Sequence, residues 1–239
     1  MSSDLQSFLL FLVISCSLST SLYAQFPEPA ANEDAGFKQI LTKETFDDWH
    51  GKLEYWRFED GVLIGEVKED GLLDENTFLV WEQKVEDFEL KVEYRVSPEG
   101  NSGINYRSKT VGGKRDVLKG YQADLDGPNR WSGQLYEEKG REFLALRGQI
   151  TYIGQDDVPY KIGSLGKEEE LAKVVNKHSW NEYHLIVQGN TLIHLVNGRV
   201  VSVAIDEGPK STEEGLLGLQ IHQGPSMKIE YRNLRIKEL

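Results

Sequence analysis

Residues 101-NSGINYR-107 and 120-GYQADLDGP-128 are two polar, glycine-containing segments that predict neighbouring strands. Because side chains alternate along a strand, Asn105 and Arg107 share one face of the first strand. Gln122, Asp124 and Asp126 share one face of the second. Paired side by side, the strands would bring an arginine and two carboxylates to one surface. A half-solvated sheet also turns polar residues outward, but this mixture of amide, carboxylate and guanidinium groups is suited to binding sugar hydroxyls.

Five motifs follow one another in order along the chain: GNSGINYR, GYQADLDG, WSGQLYEE, SWNEYHLIVQGNTLIHLVNG and GLLGLQIH…IEYRNLRIKEL. Together they resemble the 3-keto-disaccharide hydrolase domain family over residues 36–239. The resemblance implies a concanavalin A-like jelly-roll β-sandwich that is exported. It also implies action on 3-keto-glycosides, by hydrolysis or by 1,2-elimination followed by hydration. Many members have an acidic residue where this chain has Gln122.

The composition is that of one acidic all-β domain. With 39% hydrophobic and 10% aromatic residues, a chain of 239 residues can fill a core between two sheets. The formal net charge of −12 argues against a nucleic-acid partner, which needs clustered Lys and Arg. The acidic surface identifies no partner by itself and mainly aids solubility.

The N-terminal residues 1–24 predict a cleaved export signal. An apolar run over residues 8–18 is too short to span a bilayer and is followed by small residues ending at Ala24. Cleavage there would place the mature protein in the periplasm or outside the cell, without a cysteine. Lipid attachment at Cys16 is the alternative. Residues 25–35 predict a linker, and residues 36–239 the sandwich domain.

Short strands separated by turns predict two antiparallel sheets. The predicted strands span residues 77–82, 88–96, 103–108, 121–126, 133–137, 183–188, 191–196, 199–205, 215–222 and 228–237. Asp60-Gly61 predicts a hairpin within residues 37–64, and Asn197-Gly198 predicts a type I′ hairpin turn. One helix is predicted over residues 167–175, in a long connection after Gly154.

Asp124 and Arg107 are the first two candidate catalytic residues. A carboxylate in the middle of a strand is disfavoured unless it is solvated or used, which favours a functional role for Asp124. Arg107 could hold sugar hydroxyls or stabilise an enolate oxygen with its planar fork, or could simply pair with a neighbour on the surface. Asp126 is a binding candidate with an equal claim to capping the turn at Asp-Gly-Pro.

His222 is the third catalytic candidate, on one face of the last motif with Gln220. Imidazole has an unperturbed pKa near 6.5, which suits acid–base catalysis, although a solitary histidine is more often structural. The candidate substrate-binding residues are Asn101, Tyr121, Gln122, Asp126, Tyr136 and Gln220. No metal-binding motif is present, so the cofactor is open; a divalent cation held by dispersed Asp, Glu or His side chains is an alternative.

Tyr136 could stack against a sugar ring. Glu137 alternates away from it, so both cannot face the same cleft. The Glu-x-Asp-x-Glu signature of laminarinase-type glycosidases is absent, which argues against a two-carboxylate glycosidase. These features favour an exported enzyme that cleaves 3-keto-glycosides, with Asp124 or His222 as base. The alternatives are a lectin-like binding module, or direct hydrolysis of an unoxidised glycoside.

Overall fold

Two β-sheets packed face to face make up almost all of the regular structure, as the alternating strands predicted. The computed structural model describes residues 34–41 and 45–239. The predicted export signal, Cys16 and all but the last two residues of the predicted linker lie outside these ranges. None of the helices within them is long and apolar enough to cross a membrane.

Seventeen strands are described. In chain order they are β1 Lys38–Gln39, β2 Trp49–His50, β3 Trp56–Glu59, β4 Val62–Val67, β5 Thr77–Val85, β6 Phe88–Val96, β7 Asn101–Thr110, β8 Leu118–Asp126, β9 Leu135–Glu138, β10 Glu142–Ala145, β11 Gln149–Ile153, β12 Pro159–Ser164, β13 Asn181–Gln188, β14 Thr191–Val196, β15 Arg199–Asp206, β16 Gly215–Ile221 and β17 Met227–Glu238. Two 3₁₀ turns, Leu53–Tyr55 and Glu69–Gly71, and one α-helix, α1 Glu168–Ala172, complete the regular elements.

Sheet A has ten strands and sheet B has seven. The order in sheet A is β12-β11-β15-β14-β13-β6-β17-β4-β3, with β1 added beside β17. The order in sheet B is β10-β9-β8-β7-β16-β5-β2. The strand pairs are antiparallel except for β11 and β15, which run parallel. Apart from that pair, the arrangement confirms the predicted antiparallel β-sandwich.

The core lies between the two sheets and is built from alternate residues of each strand. In β6, Phe88, Leu90 and Val92 are buried, and Glu89 and Glu93 on the other face are partly exposed. This confirms that the strand is solvated on one face only. The central strands of sheet B also turn every second side chain into the core. Their remaining side chains therefore lie on the outer face of sheet B.

Both predicted hairpins are present. Asp60 and Gly61 connect β3 to β4, and Asn197 and Gly198 connect β14 to β15. Asn197 and Gly198 have φ values of 48° and 75°, the left-handed backbone that a type I′ turn requires at both positions.

The predicted helix over residues 167–175 is shorter in the structure. After Ala172 the backbone N–H groups of Val174 and Val175 bond three residues back, so the α-helix ends in a 3₁₀-type turn. Strands β10, β11 and β12 were not predicted. Strand β12 is mostly exposed, so it has no apolar alternation to mark it as a strand.

Candidate functional site

A cleft of about 430 Å³ opens on the outer face of sheet B. Strands β7, β8 and β9 supply its polar floor, and the loops beside them supply its walls. The lining residues are Asn76, Asn101, Gln122, Asp124, Trp131, Tyr136, Glu138, Lys139, Phe143, His222 and Gln223. Five of the predicted binding or catalytic residues therefore meet in one place, namely Asn101, Gln122, Asp124, Tyr136 and His222.

Gly103 makes room for the floor of the cleft. It pairs with Asp124 on the neighbouring strand β8. A Cβ atom at Gly103 would lie 2.5 Å from Cδ of Gln122, closer than side chains approach. The glycine of the NSGI motif thus lets the Gln122 side chain lie across β7 toward β16. This contact accounts for a glycine in the interior of a strand.

Two amides connect two carboxylates across the floor. Gln122 donates from Nε2 to Oδ1 of Asp124 at 2.6 Å. Gln220 donates from Nε2 to Oε1 of Gln122 at 2.9 Å and to Oε2 of Glu138 at 3.4 Å. Asn76 donates to the other oxygen of Glu138 at 3.2 Å. An amide at position 122 can both donate and accept, so it bridges Asp124 and Gln220 where a carboxylate could only accept.

Burial gives both carboxyl groups raised pKa values. Asp124 is 6% exposed, and burial raises its pKa to about 8, against the donation from Gln122 and with help from the charges of Glu138 and Asp126. Burial also raises the pKa of Glu138, but hydrogen bonds from Asn76 and Gln220 and the charges of Lys139 and His222 oppose it. The cleft therefore holds two carboxyl groups in unequal environments.

Three aromatic rings form one wall of the cleft. The rings of Trp131 and Phe143 lie 5.3 Å apart, and those of Tyr136 and Phe143 lie 5.2 Å apart. Trp131 is 38% exposed although it is a large apolar side chain. Exposed aromatic faces beside hydrogen-bonding groups suit a ring that is apolar on its faces and polar at its edges, such as a sugar.

His222 stands at the rim, just after β16. Its Nδ1 is in close contact with the carbonyl oxygen of Gln223. The backbone N–H of Gln223 in turn donates to Asn76 Oδ1 at 2.9 Å, which connects the rim to the Glu138 side of the floor. His222 lines the cleft, but Gln220 does not, so its predicted place at the substrate needs correction. Gln220 is completely buried and supports the floor through its bonds to Gln122 and Glu138.

Arg107 does not reach the cleft, and the prediction that it shares the face of Asp124 is wrong. Strand β7 bulges between Tyr106 and Lys109, and Arg107 has a φ of 44°, so regular alternation stops just before it. The guanidinium instead donates to the carbonyl oxygens of Glu86, Gly189 and Thr212 and to the Asp87 carboxylate, over 2.7 to 3.2 Å. Arg107 therefore joins three loops through hydrogen bonds and is not placed to stabilise an enolate.

Asp126 and Tyr121 are also outside the cleft, so their predicted placement at the substrate needs correction. The buried carboxylate of Asp126 accepts the backbone N–H groups of Arg130 and Trp131, which is the turn-capping role. Tyr121 lies in the core between the sheets, where its hydroxyl donates to Asp206 at 2.5 Å. Its strand alternation pointed inward, and the structure follows that alternation.

Glu138 is the main site residue that was not predicted from the sequence. It is two residues after Tyr136 on β9 and so shares its face, which was a usable signal. Glu137 between them points away from the cleft, as alternation predicted. Its carboxylate pairs with Arg141 at 2.7 Å. Trp131, Lys139 and Asn76 come from loops, where no periodic pattern indicates direction.

Metal binding was left open by the sequence. Over residues 34–41 and 45–239, no group of three or more His, Cys, Asp or Glu side chains is arranged to hold a metal ion.

Comparisons with known proteins agree with the fold and with the sequence motifs. The model of the 3-keto-alpha-glucoside-1,2-lyase-like domain matches residues 36–237. A 3-keto-disaccharide hydrolase from Bacteroides thetaiotaomicron is 25% identical, over 85% of this chain and 79% of its own length.

Two solved structures are similar in fold. A candidate glycosyl hydrolase from Parabacteroides distasonis has a TM-score of 0.58 and 18% identity, over 85% of this chain and 99% of its own. A carbohydrate-binding module from Bacillus subtilis has a TM-score of 0.53 and 13% identity, over 80% of this chain and 96% of its own. At these identities the likeness concerns the fold alone.

Proposed function

Because the chain belongs to the 3-keto-alpha-glucoside-1,2-lyase-like domain family, we propose that it is an enzyme that cleaves 3-keto-glycosides. The reaction removes the C2 proton, eliminates the C1 substituent and hydrates the product. The observation that carries this proposal is the pair of buried carboxyl groups, Asp124 and Glu138, held in one sugar-sized cleft.

The chemistry follows from the ketone. A carbonyl at C3 acidifies the hydrogen at C2, because the carbanion is delocalised as an enolate. A modest base can then remove the proton, and the C1–oxygen bond breaks without an oxocarbenium ion. The cleft supplies the groups that such a reaction needs: a carboxylate as base, a carboxylic acid as proton donor, and neutral amides that hydrogen-bond the hydroxyl groups.

The aromatic wall and the polar floor suit opposite sides of one sugar ring. Trp131, Tyr136 and Phe143 offer apolar faces, and Asn76, Asn101 and Gln122 offer hydrogen bonds. No arginine among the described residues lines the cleft, so enolate stabilisation falls to the neutral hydrogen-bond donors and to Lys139 and His222 at its edge.

The first test compares oxidised and unoxidised disaccharides. We expect 3-keto-disaccharides to be cleaved and the parent disaccharides to be inert, since only the ketone delocalises the carbanion. In D₂O the hydrated product should carry deuterium at C2, after correction for exchange measured without enzyme. Rapid cleavage with C2 unlabelled would reject elimination and leave direct hydrolysis.

A carbohydrate-binding module without activity is the second candidate, favoured by the exposed aromatic wall. Asp124→Asn separates the two functions, because an enzyme should lose turnover and still bind the sugar. If calorimetry shows that the wild type binds saccharides but turns over neither the oxidised nor the parent forms, the binding module is the correct assignment.

We further propose that the protein is exported and that its mature chain begins near Gln25, on the strength of the apolar run and the small residues that end at Ala24. N-terminal sequencing of the protein from its native cell tests this. A lipidated Cys16 or an intact Met1 would contradict it.

A further inference from the structure

The two carboxyl groups of the cleft differ in how their oxygens are bonded. Glu138 accepts a hydrogen bond on each oxygen, from Asn76 at 3.2 Å and from Gln220 at 3.4 Å. Asp124 accepts its bond from Gln122 on Oδ1. Hydrogen-bond donors on both oxygens stabilise the charged form of Glu138, whereas Oδ2 of Asp124 is placed to carry a proton.

We propose that Glu138 is the base that removes the C2 proton and that Asp124 is the acid that protonates the departing oxygen at C1. This inference rests on the proposed function and adds to it the division of roles between the two groups.

The charges around the pair support the same division. Lys139 and His222 favour the anion of Glu138. Burial, helped by the charges of Glu138 and Asp126, raises the pKa of Asp124 to about 8, which leaves it largely protonated at neutral pH. Tyr136 is the other titratable group beside the pair. Burial raises the pKa of both carboxyl groups, but two hydrogen-bond donors and the charges of Lys139 and His222 oppose the rise at Glu138, whereas one donor opposes it at Asp124. Unequal environments of this kind let one site hold both an acid and a base.

The elimination balances with these two groups alone. The Glu138 carboxylate takes the C2 proton, and the C–H electron pair forms the C2–C3 double bond of the enolate. The enolate then re-forms the C3 ketone as the C1–C2 double bond forms. The C1–oxygen bond breaks, and the departing oxygen takes the proton from Asp124.

Hydration returns both groups to their starting states. The Asp124 carboxylate, left by the first step, takes a proton from water as the water oxygen bonds to C1. The electron pair of the C1–C2 double bond passes through the enolate, and C2 takes a proton from Glu138, whose carboxyl proton has exchanged with solvent in the open cleft in the meantime. The sum is hydrolysis of the glycoside, with Glu138 ionised and Asp124 protonated again.

A substrate analogue without a leaving group separates the two roles. The probe is 3-keto-1,5-anhydroglucitol, which has the ketone and the C2 hydrogen but no exocyclic glycosidic oxygen at C1. In D₂O, NMR measures enzyme-catalysed exchange at C2, which needs the base and not the acid. Cleavage of a 3-keto-disaccharide needs both.

We expect Glu138→Gln to lose exchange and cleavage by about 10²-fold or more each. Asp124→Asn should lose cleavage to the same extent but keep exchange within about threefold, because the amide is a neutral mimic of the protonated acid. Glu142→Gln is the matched control: Glu142 is exposed on β10, outside the cleft lining, and both activities should be retained. Melting curves establish that the variants are folded.

The pH profile of kcat/KM gives a second readout that a structural role would not move. Glu138→Gln should remove the acidic limb of the wild-type profile, and Asp124→Asn should remove the basic limb. If Glu138→Gln keeps exchange and Asp124→Asn loses it, the assignment is reversed and the inference is overturned, although the proposed function stands. A folded wild type that neither exchanges nor cleaves any 3-keto sugar would overturn the proposed function and the inference together.

Discussion

Asp124 illustrates, at the scale of a single residue, how a reactive group lowers stability. Its pKa is raised from 3.8 to about 8 in the folded protein, mainly by burial. A carboxyl group with a raised pKa stabilises the fold below its unfolded pKa and loses that contribution as pH rises through the folded pKa. The wild type should therefore lose stability between about pH 4 and pH 8 in a way that a neutral side chain would not.

Asp124→Asn should accordingly be more stable than the wild type at pH 8 and equally stable at pH 4. The difference at pH 8 should reach about 2 kcal/mol or more, since each pH unit contributes up to about 1.4 kcal/mol. Urea unfolding at the two pH values measures it. Equal stability of the two proteins at pH 8 would mean that Asp124 is ionised in the fold and is not the proton donor.

Single residues also show how far side-chain alternation predicts a site. It placed Gln122 and Asp124 on one face correctly, because both lie in the regular strand β8. It failed for Arg107, because a bulge and a left-handed backbone interrupt the strand there. A bulge depends on pairing with distant strands, which a local pattern does not contain.

Arg107 acts at the scale of elements, by joining three connections. It lies at the end of the regular part of β7 and bonds the β5–β6 turn, the β13–β14 turn and the segment before β16. Lysine keeps the charge but lacks the planar fork. Arg107→Lys should lower the free energy of unfolding by about 2 kcal/mol or more, because the buried side chain gives up most of its hydrogen bonds to the three connections.

At temperatures well below melting, kcat/KM of this variant should stay within about twofold of wild type, since Arg107 does not reach the cleft. Arg115→Lys, at an exposed arginine, is the control and should change stability by less than about 0.5 kcal/mol. A stable Arg107→Lys protein with a large loss of kcat would show that Arg107 takes part in the reaction.

The loop between β8 and β9 carries Trp131 and is fixed by hydrogen bonds to side chains packed against it. Arg147 is buried and donates to the carbonyl oxygens of Asn129, Arg130 and Ser132. The Asp126 carboxylate accepts two further hydrogen bonds, from backbone N–H groups of the same loop. A loop fixed at both sides presents its aromatic ring in a set orientation, which lowers the entropy cost of stacking on a ligand.

Trp131→Ala should raise KM for a 3-keto-disaccharide about tenfold, the equivalent of about 1.4 kcal/mol, with a smaller effect on kcat. Trp131→Phe should recover part of the loss. Steady-state kinetics measures both, with Val158→Ala as an exposed apolar control away from the cleft. An unchanged KM in Trp131→Ala would show that the aromatic wall does not contribute to substrate binding.

Strands with one buried face were predictable, and strands at the edge of a sheet were not. The bounds of β6 and β14 match the predicted 88–96 and 191–196. Strands β10 and β12, which end the two sheet orders, and β11, which lies next to β12, were not predicted. Edge strands bury less apolar surface, so their side chains keep weaker alternation. One wall of the cleft includes β10, which is why Phe143 was missed.

Across the whole molecule, buried polar bonds join the two sheets. His194 of sheet A bonds with the hydroxyl of Tyr106 in sheet B and that of Tyr183 in sheet A, each at 2.9 Å. Complete burial lowers the pKa of His194 from 6.5 to about 3. The folded protein therefore keeps this ring neutral where the unfolded chain would protonate it.

A histidine with a lowered pKa stabilises the fold fully above its unfolded pKa, and this contribution falls as pH drops from about 6.5 toward 3, by up to about 1.4 kcal/mol per unit. His194→Gln should be less stable than the wild type at pH 7 but should lose less stability between pH 6 and pH 4. Urea unfolding across that range tests this. Parallel curves for the two proteins would show that His194 titrates normally in the fold.

The N-terminal boundary of the domain gives the last prediction. Residues 36–239 form one compact unit, and the family match begins at residue 36. Just inside that boundary, β1 pairs with β17, and the Ile40 carbonyl accepts the Trp49 indole N–H at 3.2 Å. A chain that begins at Gly36 should therefore retain the melting temperature and kcat/KM of one that begins at Gln25.

A chain that begins at Thr45 loses β1 and leaves the buried indole without its acceptor. It should melt several degrees lower, since about 1 kcal/mol corresponds to roughly 2–4 °C in a domain of this size. Equal melting of the Gly36 and Thr45 chains would place the boundary after β1, whereas a lower melting temperature for the Gly36 chain would extend the domain into the residues before it.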